Sequence, residues 1–225
     1  MKKVKKIPII AIIGGMGPYA SLHFHHLLLQ KFTGISNPPE ILMDSISIDD
    51  FTQDDSKIAP ALKIISKRIS IINQLNPNII VMTCNTAHIL HPQLTKLTRS
   101  QFPNLIKLVT KKISQSNSKK VLLLSSPNTL RHNLYTSHLN TNKVTIVSPT
   151  NRQLVIVESV IKNLIIGVTK KRDINAINRI ISSHPQVDGV ILGCTELSLI
   201  APKLKASRVF DSLEILADHV SSKIT

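Results

Sequence analysis

The chain has 225 residues, 42% of them hydrophobic but only 3% aromatic, so it buries a core of Ile, Leu and Val rather than of rings. Its 28 Lys and Arg against 13 Asp and Glu give a formal charge of +15, which suits an anionic small molecule or nucleic acid. The basic residues are scattered and few aromatics stand among them to stack on bases, so no nucleic-acid partner is expected, and no apolar stretch approaches the ~18 residues of a membrane span.

In chain order, Lys2, Lys3, Lys5 and Lys6 precede an apolar run at 7–13, which imitates a secretory signal. The imitation ends at Gly14, where Gly14-Gly15-Met16-Gly17-Pro18 breaks the run and a helical pattern follows. The expectation is a cytoplasmic protein whose two cysteines are thiols rather than a disulfide. Short runs rich in Ile and Val predict buried strands at 7–13, 41–48, 79–82, 121–124, 144–147 and 187–192, with shorter candidates at 105–109 and 209–210. Periodic stretches between them predict helices at 59–74, 86–99, 153–166 and 173–182, and another from Ser212 or Leu213 to the end. Such alternation specifies parallel βαβ units covered on both faces.

A repeat organises these elements. Strand, small-residue turn and helix start recur at 9–20 and at 121–130, the second with Ser125-Ser126-Pro127-Asn128-Thr129 as its turn. Each is followed by a strand that runs into a cysteine turn, Thr83-Cys84-Asn85-Thr86 and Gly193-Cys194-Thr195-Glu196, at nearly equal separations. The predicted fold is therefore α/β, with two similar Rossmann-like halves related by a pseudo-twofold axis and a site in the cleft between them. Residues 1–100 with 207–225 would form the first domain and 101–206 the second.

Ligands of parallel α/β sheets gather at the carboxyl ends of strands, where the following backbone N–H groups are free. Cys84 and Cys194 stand at such ends, and a helix start after each is expected to lower its thiol pKa. Asn85, Thr86 and Thr195 supply short polar groups suited to a carboxylate. Metal binding is not expected: neither cysteine has a C-x-x-C partner, and His23, His25 and His26 would fan around a helix. His88, one turn from Cys84, is placed to tune it, while His91 precedes Pro92 at the surface. The glycine turn departs from G-x-G-x-x-G, since Ala20 occupies the sixth position from Gly15, and is better used for close approach to a small substrate.

Gly14-Gly15-Met16-Gly17-Pro18, Cys84-Asn85-Thr86-Ala87-His88 and Gly193-Cys194-Thr195-Glu196 resemble, in order and spacing, the hallmark segments of the aspartate/glutamate racemase superfamily. The glycine-rich opening and Glu196 resemble the aspartate-racemase branch; glutamate racemases of the cell wall typically open with Asp-Ser-Gly and carry Cys-Thr-His. The resemblance implies a cofactor-independent racemase acting on a small amino acid. Cys84 and Cys194 would serve as opposed acid and base, Met16, Asn85, Thr86 and Thr195 would hold substrate, and Gly15, His88 and Glu196 would support them. Similar racemases are often dimers, so a homodimer is the implied assembly. One departure matters: the Arg and Lys that grip a distal carboxylate in aspartate racemases are missing, with Asp49 and Asp50 in the first region and Ile165 in the second. A racemase of neutral or basic amino acids, a cis-trans isomerase of a small dicarboxylate and a silent α/β binding protein are the alternatives.

Overall fold

The computed structural model describes residues 7–139 and 144–224; the basic residues at 2–6 lie outside them. The first half runs β1 (Ile9–Gly14), α1 (Pro18–Lys31), β2 (Glu40–Ser45), α2 (Ile58–Ile72), β3 (Ile79–Met82), α3 (His91–Leu94) and α4 (Leu105–Ser114). The second continues with β4 (Lys120–Ser125), α5 (Pro127–Arg131), α6 (Thr136–Leu139), β5 (Thr145–Val147), α7 (Asn151–Ile165), α8 (Lys171–Ser182), β6 (Gly189–Gly193), β7 (Val209–Asp211) and α9 (Ser212–Ile224).

All described strand pairs are parallel, in sheets ordered β2-β1-β3 and β5-β4-β6-β7. A parallel bridge between Ile79 and Gln101 occupies in the first sheet the position that β7 holds in the second. The halves thus repeat one strand order, and each fourth position leads into a helix, α4 or α9. Burial on both faces explains why central strands read as continuous apolar runs: Ile10, Ala11, Ile12 and Ile13 are all fully buried.

Three apolar layers result. On the outer side of the first sheet, Ala61, Ile65, Ile69 and Ile72 of α2 cover Ala11, Ile13, Ile80 and Met82. On the outer side of the second, α7 and α8 cover Leu122, Leu124, Val190 and Leu192. Between the sheets a shared core joins Ile10, Ile12 and Val81 to Val121, Leu123 and Ile191 through α1, α4 and α9. Helix α9 packs on α1 and α4, and α4 also packs on α6 and β7, so the helices that close the two halves cross over between them.

Two predicted elements take other forms. Residues 105–109 are not a strand but the first turns of α4, because Asn104 caps the backbone N–H of Lys107 at 3.0 Å and burial follows a helical period through Leu105, Ile106, Val109 and Ile113. Residues 86–99 are not one helix: a 3-10 turn at Thr86–Ile89, the short α3 and a second 3-10 turn at Thr95–Leu97 replace it. Pro92, lacking an N–H, interrupts the i to i−4 ladder there. The tail at 207–225, expected to return to the first half, divides: β7 is hydrogen-bonded to β6 of the second sheet, while α9 lies against α1.

Leu213 in α9 is fully buried in the layer between the sheets, whereas Leu22 on α1 is 57% exposed. Leu213→Ala is expected to lower unfolding stability by about 3 kcal/mol and Leu22→Ala by less than about 0.5 kcal/mol. Urea denaturation midpoints measure both; equal losses would show that the shared layer is not what holds the halves together.

Candidate active site

Strand register places the two cysteines. Ile13 pairs with Met82, so Cys84 emerges just beyond the sheet beside the glycine turn; Ser125 pairs with Gly193, so Cys194 emerges beside Ser126. Gly15 has φ of +93°, and a Cβ there would stand 2.1 Å from the Ile46 carbonyl, so only glycine lets the turn pass beneath the segment after β2. Ser21 fastens the turn, accepting from the Gly15 N–H at 3.3 Å and lying 2.8 Å from the Thr83 hydroxyl. Met16 is partly buried against the layer that contains Ile13, Met82 and Cys84.

The seam between the halves is polar and closed. Thr86 Oγ1 lies 2.9 Å from Ser126 Oγ and 3.0 Å from Thr129 Oγ1, a hydroxyl cluster that crosses from one half to the other. Thr195 Oγ1 crosses back, donating to the Thr83 carbonyl at 3.1 Å. Asn85 donates to Ser212 Oγ at 3.1 Å and accepts from the Tyr135 hydroxyl. Each of these side chains, expected to face substrate, is hydrogen-bonded to other residues of the protein at the seam. Cys84 and Cys194 are 7% and 6% exposed, and neither lines two cavities of about 800 and 690 Å³ elsewhere on the protein.

Around each sulfur the surroundings differ. Cys194 Sγ donates to Glu196 Oε2 at 2.8 Å. Glu196 is itself buried, and its other carboxyl oxygen sits over Gly17, where a Cβ would be 1.7 Å away. Backbone N–H groups of Ala87 and Thr86 favour the anion of Cys84. The expected lowering of the thiol pKa values is nevertheless reversed. Burial, then the charge of Glu196, pushes the Cys84 thiol up to about 12 and Cys194 well above its ordinary value. The turns after the cysteines are 3-10 and the thiols are dry, so desolvation outweighs the two N–H bonds. The two sulfurs lie close enough for Cys84 to act electrostatically on Cys194.

His88 is buried beneath this turn. Its Nδ1 lies 2.8 Å from the Cys84 carbonyl, which can only accept, so Nδ1 carries the hydrogen. Burial lowers its pKa to about 4, leaving the ring neutral, and it stacks on His91 at 5.5 Å. His91 is partly buried, with Nε2 2.9 Å from the Phe102 carbonyl, rather than free at the surface. Among the described residues no group of three His, Cys, Asp or Glu side chains is placed to hold a metal ion, and no helix is long and apolar enough to cross a membrane.

The structure therefore brings Cys84, Cys194, Asn85, Thr86, Thr195, Glu196, Met16, Gly15 and His88 to one seam. Ser126, Thr129 and Tyr135 belong there too, although the sequence reading does not single them out as site residues. The repeat contained the signal for Ser126, which follows β4 as Gly15 follows β1.

The family description Asp/Glu/Hydantoin racemase matches residues 13–220. The structure is similar to that of an aspartate racemase from Picrophilus torridus, at 28% identity and a TM-score of 0.81, over 96% of this chain and 94% of that one. It is similar in fold to an aspartate racemase homologue from Pyrococcus horikoshii OT3, at 24% identity and a TM-score of 0.77, over 96% and 100% of the two chains. A glutamate racemase from Francisella tularensis in complex with D-glutamate shares the fold at 15% identity and a TM-score of 0.70, over 97% of this chain and 81% of that one. With a family match that spans both sheets, the chain belongs to the Asp/Glu/hydantoin racemase family and is a racemase-type isomerase.

Proposed function

We propose that this protein inverts the α-carbon of an amino acid between Cys84 and Cys194, with neither pyridoxal phosphate nor a metal ion. The observation that carries this reading is the meeting of two equivalent strand ends, each bearing a buried thiol, across one polar seam. Inversion needs an acid and a base on opposite faces of one carbon, and two repeated halves facing each other supply that opposition. The Picrophilus torridus protein, named an aspartate racemase, supports the same reaction class.

In one direction the Cys84 thiolate takes the α-hydrogen as a proton, and the C–H electron pair moves into the α-carboxylate, giving an enediolate. Cys194 then gives its S–H proton to the other face, ending as thiolate while Cys84 ends as thiol; the reverse direction exchanges the roles. Hydroxyls of Thr86 and Thr195 and the Asn85 amide hold the carboxylate as its charge grows. Met16 walls the cleft, and Gly15 allows the close approach. Glu196 positions Cys194 by accepting its S–H, and neutral His88 holds the carbonyl of the Cys84 turn. The raised thiol pKa values are met by the substrate's α-ammonium, whose positive charge favours a thiolate once bound.

Cys84→Ser and Cys194→Ser are each expected to reduce racemisation at least about 10³-fold while keeping the fold, because either change removes one of two required proton carriers. Chiral chromatography with far-UV circular dichroism measures both; substantial turnover by either folded variant overturns the two-cysteine assignment. Full activity should survive exhaustive chelation in pyridoxal-free buffer, and restoration by a single added metal would count against the mechanism.

The pH profile gives a further expectation. Since ionisation of a cysteine is required and burial and Glu196 raise both thiols, kcat/KM should climb through neutral pH and keep climbing into the alkaline range. Glu196→Gln removes a charge that opposes thiolate formation, so the rising limb should move to lower pH while kcat falls as Cys194 loses its partner. A limb that stays in place would show that Glu196 acts only as packing.

A further inference from the structure

In a chain of +15, acidic residues are scarce, yet four of the 13, Asp49, Asp50, Asp54 and Asp55, fall in the segment between β2 and α2. That segment is a strap from the first half fastened to the second. The Asn128 backbone N–H donates to the Thr52 carbonyl at 2.9 Å, and Asn128 Nδ2 donates to the Phe51 carbonyl at 2.7 Å. Arg131 reaches the Gln53 carbonyl at 3.5 Å, and the Phe51 side chain is buried in the outer layer of the first sheet.

Within the strap the charges divide. Asp55 is answered by His132 at 2.9 Å and Arg131 at 3.5 Å, and Asp54 feels Lys57 and Arg131. Arg131 is further occupied by Asn128 Oδ1 at 2.7 Å. Among the described residues Asp49 and Asp50 have no ion-pair partner. The Thr52 backbone N–H donates to Asp50 Oδ1 at 2.8 Å. The strap that carries Asp50 runs from Ile46, whose carbonyl closes over Gly15, to Asn128, the neighbour of Thr129 in the hydroxyl cluster, and Asp50 is among the weaker charges that act on Cys84 and Glu196. No lysine or arginine is among the charges that act most strongly on Cys84, Cys194 or Glu196.

A second carboxylate on the substrate would thus meet Glu196, Asp50 and one thiolate without a cation to receive it. An ammonium or guanidinium on the side chain would meet Asp50 and Asp49, which form no ion pair among the described residues. Resting on the racemase reading, we propose that Asp50, seconded by Asp49, is a specificity-determining residue that selects amino acids with a cationic side chain and rejects those with a second carboxylate.

The test compares kcat/KM for lysine, alanine and aspartate in the wild type and in Asp50→Asn, following both chirality and Cα deuteration in deuterated water. Asparagine keeps an oxygen for the Thr52 N–H, and thermal denaturation checks that the variant is folded. The wild type is expected to prefer lysine over alanine and alanine over aspartate. Asp50→Asn should lower the lysine-to-alanine and lysine-to-aspartate ratios about tenfold each, the scale of one removed charge at short range. A wild-type preference for aspartate, or ratios unmoved in the folded variant, overturns the assignment of Asp50 and leaves the racemase reading standing. Absence of deuteration with every amino acid overturns both.

Discussion

Ile10, Ile12 and Val81 on one sheet and Val121, Leu123 and Ile191 on the other share a single apolar layer with α1, α4 and α9. Because that layer is continuous, neither sheet can be turned or shifted without exposing apolar surface, at roughly 25 cal/mol for each Å². The carboxyl ends of β3 and β6 are thereby held against one another, and with them Cys84 and Cys194. The crossing of α4 and α9 strengthens the constraint, since each packs on elements of the half it does not close. The shared layer positions the site.

That seam is dry and self-satisfied. Thr86 with Ser126 and Thr129, Thr195 with the Thr83 carbonyl, and Asn85 with Tyr135 and Ser212 meet one another's hydrogen-bonding needs across the halves. A buried polar group without a partner is costly, so these bonds tie the two halves together along the seam. Dryness also sets the chemistry. It raises both thiols and keeps His88 neutral, so negative charge on sulfur is disfavoured.

The acidic strap adds a second electrostatic level. The surplus of +15 describes the chain as a whole, while the charges that act on the Cys84 thiol are the carboxylates of Glu196 and, more weakly, Asp50. Global charge and local charge have opposite signs here, and it is the local one that a bound side chain meets, because screening removes distant charges over about 8–10 Å.

Local pattern determined a good deal. Central strands buried on both faces must be continuous apolar runs, so β1, β3, β4 and β6 stand close to their expected places, and the repeated cysteine turns marked the two strand ends that face each other. Where the pattern was too short to distinguish periods, tertiary context decided: the five apolar-rich residues at 105–109 became helix because Asn104 caps them and the layer between the sheets accepts their helical face. Pro92 was visible in the sequence, but its effect on residues 86–99 depended on how the chain leaves Cys84. The ionisation of the thiols was beyond sequence altogether. A helix-start argument counts donors along the chain, whereas the pKa is set by burial and by Glu196, and both arise only when the second half closes over the first. The course of the strap that carries Asp50 toward the seam likewise comes from Asn128 and Arg131, residues of the opposite half that no local rule connects to the strap.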